Sequence, residues 1–153
     1  MQDTRNIDAL GAALIELIGF LNSPQRDDAL LREAGVSLDR ALFPLLVRLG
    51  ARGPLGVAEL ADQAGRDHTT VSRQLAKLET LGLVARPGGE ADRRRRAAEL
   101  TAAGRTTVEA IAGARRRLLS RALAAWSAAD LAALAALNRR FADSLVGYAR
   151  SQS

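Results

Sequence analysis

The sequence predicts a mainly α-helical protein with one small β-hairpin, in which a central pair of short helices leads into the hairpin and further helices stand before and after. Three observations carry this. Apolar residues recur at intervals of three and four along most of the chain, the period of a helix with one covered face. The exception lies between about residues 84 and 100, where Leu83 and Val84 open an extended run and Pro87, Gly88 and Gly89 supply a turn. A chain of 153 residues has material for one core and for extensions from it, but not for two independent cores.

In chain order, Ile7, Leu10, Leu14, Leu17, Ile18 and Leu21 fall at near-heptad spacing and predict a first helix with a narrow apolar seam. Such a seam on a terminal helix needs a partner. Asn22, Ser23 and Pro24 are expected to end this helix, with Gln-Arg-Asp-Asp as a polar link to a short apolar piece, 29–34, closed by Gly35. Ser37 is expected to cap a helix from 38 to about 49, with Asp39 in the first turn and Leu42, Leu45, Leu46 and Leu49 on the covered side. Pro44 would stand inside that helix and bend it. Gly50, Gly53, Pro54 and Gly56 form the link onward.

The central pair follows. Val57, Leu60, Ala61 and Ala64 give the first member one apolar face, and Gly65 stops it, because glycine enters the left-handed C-terminal cap without steric cost. Asp67 is placed to accept bonds from the free amides of a second helix, in which Val71, Leu75, Leu78 and Leu81 form one buried stripe. Its other face carries His68, Thr69, Thr70, Ser72, Arg73, Gln74 and Lys77. Hydroxyls, an amide and two cations on one face either simply meet water or bond to base edges and phosphates from within a DNA groove. Gly82 caps this helix, and the second arm of the expected hairpin begins with Asp92, Arg93, Arg94, Arg95 and Arg96. Four adjacent guanidinium groups repel one another unless an anion meets them.

Residues 66–96 hold eight basic side chains against four acidic ones, so this fifth of the chain carries most of the whole protein's net +5. Arginine supplies nearly all of it, Lys77 being the only lysine, and its planar fork suits phosphates and guanine edges. A helix-turn-helix followed by a basic ribbon is a DNA-reading arrangement.

After the hairpin, Thr101 is expected to cap a long helix reaching about Trp126, with Arg115, Arg116 and Arg117 spread around its circumference as a solvated surface. Ser127 and Asp130 open the last helix, where Leu131, Leu134, Leu137, Phe141, Leu145 and Tyr148 form a long apolar stripe. A single chain of this size has difficulty covering both that stripe and the seam on the first helix, which points to a second copy.

Composition narrows the chemistry. The absence of cysteine excludes disulfides and thiolate metal sites, and a single histidine, His68, leaves no histidine cluster for a metal and little scope for imidazole catalysis. We expect no metal, no cofactor and no enzymatic activity. The first ten residues lack a basic segment followed by an apolar core, and the alanine-rich stretch 122–137 is interrupted by Ser127 and Asp130. The expectation is therefore a cytoplasmic protein with no membrane partner.

On the helix pair around Glu-Leu-Ala-Asp-Gln-Ala-Gly and the second helix that follows it, the sequence resembles the MarR family of bacterial transcriptional regulators. The resemblance extends through Asp92, Arg94, Leu100, Thr101 and Gly104, which stand where that family has Asp-x-Arg and Leu-Thr-x-x-Gly, and over nearly the whole chain. Ala64 and Arg66 depart from it, standing where apolar residues usually pack the turn. The resemblance implies an obligate dimer of winged helix-turn-helix domains, the second helix in the major groove and a wing arginine in the minor groove. It also implies a small anionic or aromatic effector bound between the dimer helices and the DNA-binding lobe, for which Phe20, Phe43 and Trp126 are the candidate lining.

The resulting expectation is a winged helix-turn-helix domain at residues 37–100, flanked by helical dimerisation segments at 1–36 and 101–153. It would act as a homodimeric repressor on an inverted-repeat operator in double-stranded DNA. Arg94 is the leading candidate for the minor groove, although strand parity does not single out one of the four arginines at a turn. Arg86, Arg93, Arg95 and Lys77 would hold phosphates, Arg96 would be a further DNA-binding residue of the wing, and Asp92 would position the wing. The rival reading is a sequence-indifferent architectural protein binding DNA or RNA through charge alone.

Overall fold

The computed structural model describes residues 3–87 and 97–153. Helix α1 (Thr4–Leu21) is capped by Asp3, whose carboxylate accepts the Arg5 amide at 3.1 Å. Helix α2 (Pro24–Ala34) follows after two residues, so the Gln-Arg-Asp-Asp stretch expected as a link is helical. Pro24 explains the difference. At the first helical position it has no needed N–H to lose and its fixed φ suits the turn, while Asp27 meets the positive helix end.

Helix α3 (Phe43–Arg52) begins five residues later than the apolar spacing suggests. Asp39 is the reason. Its Oδ1 accepts the Ala41 amide and its backbone carbonyl accepts the Leu42 amide, each at 2.9 Å, which folds the chain into a turn instead of a helix. Leu38 still packs against the core from this non-helical segment. Pro44 consequently lies in the first turn of α3, where it is tolerated, and the expected bend has no basis.

Helices α4 (Val57–Ala64) and α5 (His68–Thr80) fall where expected. Strands β1 (Val84–Ala85) and β2 (Glu99–Leu100) pair antiparallel with Val84 opposite Leu100 and Ala85 opposite Glu99, forming the base of the predicted hairpin. Leu55 and Ala98 exchange two backbone bonds, at 3.1 and 2.8 Å, which ties the link before α4 to the same ribbon. Helix α6 (Ala102–Ala122) starts under Thr101, whose Oγ1 accepts the Gly104 amide at 3.1 Å and donates to the Gly82 carbonyl at 2.6 Å. It ends at Ala122, short of the expected Trp126. Helix α7 (Ala128–Ser151) is capped by Ser127, whose hydroxyl accepts the Asp130 amide at 3.1 Å.

The chain divides into two compact units, Met1–Arg115 and Arg116–Ser153. In the first, side chains from α3, α4 and α5 with Leu55, Val84 and Ala98 form the main core, where Leu45, Leu46, Leu60, Val71, Leu75 and Leu78 are fully covered. A smaller cluster joins Leu31, Phe43 and Ile111. Helix α1 contributes no buried residue, and Ile7, Leu10, Leu17, Ile18 and Leu21 of its seam are exposed. In the second unit, α7 likewise buries nothing, leaving Leu131, Leu137, Leu145 and Tyr148 in solvent. No single described helix is long and apolar enough to cross a membrane.

Candidate nucleic-acid interface

The α4–α5 junction is fixed by local bonds. Gly65 takes φ 64°, and behind it the Arg66 amide donates to the Ala61 carbonyl at 3.0 Å, closing the C-terminal cap. Two residues later Asp67 accepts the Thr70 amide on Oδ1 at 2.9 Å and the Thr70 hydroxyl on Oδ2 at 2.6 Å. The Thr70 hydroxyl, then the Thr70 amide, and more weakly Arg73 hold the Asp67 carboxyl below its ordinary value.

With Val71, Leu75 and Leu78 fully covered, the geometry of α5 sends the opposite face outward. There His68, Thr69, Ser72 and Arg73 are exposed and line an open groove of about 830 Å³, together with Ala76, Glu79, Thr80, Val57 from α4 and Arg86 beside the ribbon. The groove offers hydroxyls, an imidazole and a guanidinium along one helix face, the mixture of donors and acceptors that base edges and phosphates take up.

The seven residues expected on this face do not share one environment. Lys77 is exposed but not part of the groove lining. Thr70 is engaged in the cap, and Gln74 is half-buried, its Oε1 accepting from Arg66 Nη1 at 2.8 Å. Arg86 forms an ion pair with Glu79, Nε to Oε1 at 3.4 Å, and only 9% of its side chain is exposed. That pair offsets the one acidic side chain of the groove, which would otherwise repel phosphate. Asp92, Arg93, Arg94, Arg95 and Arg96 lie outside the described residues.

Two groove positions, Ala76 and Thr80, escaped the sequence reading. Their spacing of seven and eleven from Thr69 puts them on its face, a helical-spacing signal that was present in the sequence. Of the three aromatics expected around an effector, Phe43 is buried against Leu31 and Ile111. Phe20 is about half exposed, with the Arg26 guanidinium 4.4 Å from its ring centroid, and Trp126 is about half exposed in the second unit. Among the described residues no group of three or more His, Asp or Glu side chains is placed to hold a metal ion.

Comparison with known proteins agrees with this geometry. The sequence profile of the MarR family matches residues 38–95, which contain the whole helix pair. Among solved structures, a MarR family protein from Bacillus stearothermophilus superposes with TM-score 0.77 at 22% identity, covering 95% of this chain and 99% of that one. A "probable transcriptional regulator" from Pseudomonas aeruginosa is 32% identical, with TM-score 0.54, covering 81% of this chain and 96% of that one. NadR, solved in complex with 4-hydroxyphenylacetate, superposes with TM-score 0.62 at 23% identity, covering 87% of this chain and 92% of that one. A search of curated proteins gave no match. The fold is thus that of a winged helix-turn-helix regulator, with the described strands forming the root of the wing.

Proposed function

The chain belongs to the MarR family of transcriptional regulators, and from that premise we propose that it is a repressor acting as a homodimer on an inverted-repeat operator. The observation that carries the DNA contact is the open groove on α5, where Thr69, Ser72 and Arg73 stand exposed above a fully covered apolar stripe. Two-fold symmetry would set half-site centres about 34–36 Å apart, one turn of the duplex. Arg73 and its neighbours read base edges. Arg93, Arg95, Arg96 and Lys77 hold phosphates, and Arg94, positioned by Asp92, enters the minor groove.

In this reading residues 37–100 touch DNA, while 1–36 and 101–153 join two copies through the exposed faces of α1 and α7. The protein works in the cytoplasm, where its operator is. NadR's ligand is a small aromatic anion, which supports an effector of that class here, with Phe20 and Trp126 as the accessible aromatics. Such an effector would act by changing the separation of the two α5 helices, so that both no longer fit one duplex.

The test is selection from random duplexes followed by comparison of the selected sequence with a shuffled one at physiological salt. A preference of about a thousandfold or more is the expected result for a specific regulator. A ratio near one would instead establish the sequence-indifferent, charge-driven binder.

A further inference from the structure

We propose that Arg66 is a positioning residue for DNA reading, its guanidinium holding Gln74 against the turn before α3 and so setting the pose of α5. The proposal rests on the reading of α5 as the helix that meets base edges. Arg66 stands where the family pattern has an apolar residue, and what it does there is visible. Its backbone is fixed by the bond to the Ala61 carbonyl. Its Nη1 donates to the Ala41 carbonyl at 2.6 Å, twenty-five residues away, and to Gln74 Oε1 at 2.8 Å. Both partners are themselves constrained. Ala41 lies in the turn stapled by Asp39, and the adjacent Arg40 reaches Asp28 of α2 at 3.6 Å, while Gln74 sits mid-way along α5.

The guanidinium is a rigid, always charged fork, so two bonds from it define a direction as well as a distance. Without it, this flank of α5 meets the core only through Val71, Leu75 and Leu78, apolar contacts that tolerate sliding because they are non-directional. Base-edge bonds do not tolerate it, since they weaken steeply once distance and angle leave a narrow range. The same contact changes the role of Gln74. A bidentate contact with adenine needs the amide oxygen and nitrogen presented side by side to the base, and here the oxygen is turned to Arg66 and the side chain is half-buried. Gln74 is a strut in the helix mount, and the reading falls to Thr69, Ser72 and Arg73.

The test uses the full chain, a duplex selected from random sequence by the wild type, and a shuffled duplex of equal composition. Arg66→Met keeps the stem and removes the fork; Gln74→Ala removes the acceptor and substitutes the strongest helix former, so it folds even where the first variant does not. We expect each to lower the selected-to-shuffled affinity ratio about tenfold, and the double variant to lower it no further than either alone. The salt dependence of shuffled-duplex binding should stay unchanged, since the Arg66 Nη1 is turned to Ala41 and Gln74. Three outcomes overturn the proposal: variants whose thermal midpoint falls while the ratio holds, losses that add in the double variant, or an equal loss on both duplexes with the salt slope reduced by about one charge. A wild type that cannot distinguish the two duplexes overturns the regulator reading as well, whereas a discriminating wild type whose variants discriminate just as well overturns this proposal alone.

Discussion

Asp67 shows how much one side chain decides at the helix junction. It satisfies an amide at the start of α5 and binds the Thr70 hydroxyl with its other oxygen, and these bonds favour its ionised form. A carboxyl held below its ordinary value contributes stability that is present above the unfolded value, 3.8, and is lost as pH falls through the lower folded value. Asp67→Asn should therefore lower the thermal midpoint at pH 6, and the gap from the wild type should close in titrations taken below pH 3.8. Asp27, pushed up by burial and by Asp28, works in the opposite sense but is common to both proteins and drops out of the comparison. Gly104 makes a second case, where two effects of opposite sign compete. Alanine in a helix interior ordinarily gains about 0.5–1 kcal/mol over glycine. Here a Cβ would collide with the Leu83 carbonyl, which is held in place by the Thr101 amide at 3.1 Å, so the backbone cannot retreat. Overpacking of this kind costs about 1–3 kcal/mol and wins. Gly104→Ala should be destabilised in urea denaturation, and a stabilised variant would refute the contact.

At the scale of elements, α5 separates residues by what they touch. Arg73 lines the groove and Lys77 does not, so Arg73→Ala should cost about 1–3 kcal/mol at particular operator positions while Lys77→Ala weakens every duplex alike. Competition binding against single-position operator variants distinguishes the two, and an Arg73→Ala protein with unchanged preferences would displace the assignment. The helix pair, its Gly65 stop and its Asp67 cap were legible in the sequence because each is set by residues within a few positions of one another. The start of α3 was not. Leu38, Leu42, Leu45, Leu46 and Leu49 all face the core, and apolar spacing cannot tell a helix from a turn that packs inward at the same rhythm. Only the bonds made by Asp39 decide, as Pro24 decides for α2. The polar outer face of α5 was legible as a group, but its division was not. Gln74 is claimed by Arg66, which also holds a carbonyl twenty-five residues away, and Arg86 is claimed by Glu79, pairings that no local pattern announces.

For the whole molecule the decisive fact is what remains uncovered. Exposed leucine and isoleucine on α1, and leucine and tyrosine on α7, are far more apolar surface than two surface helices ordinarily leave in water. If two copies cover it, sedimentation at micromolar concentration gives twice the mass of 16.2 kDa. Leu137→Glu together with Leu145→Glu should then shift the chain to a single-copy species and weaken operator binding, because two α5 helices no longer arrive together. A double variant that still sediments as a pair would move the interface elsewhere.

The absence of any buried side chain on the 24 residues of α7 has a last consequence. Alanine-rich sequence gives such a helix some order of its own, but lasting order comes from packing. If a second copy supplies that packing, the C-terminal region behaves as a gauge of abundance. When the cell holds few copies, dilution frays it and exposes it to proteases. When copies accumulate, mass action knits it up, and the thermal midpoint climbs with concentration.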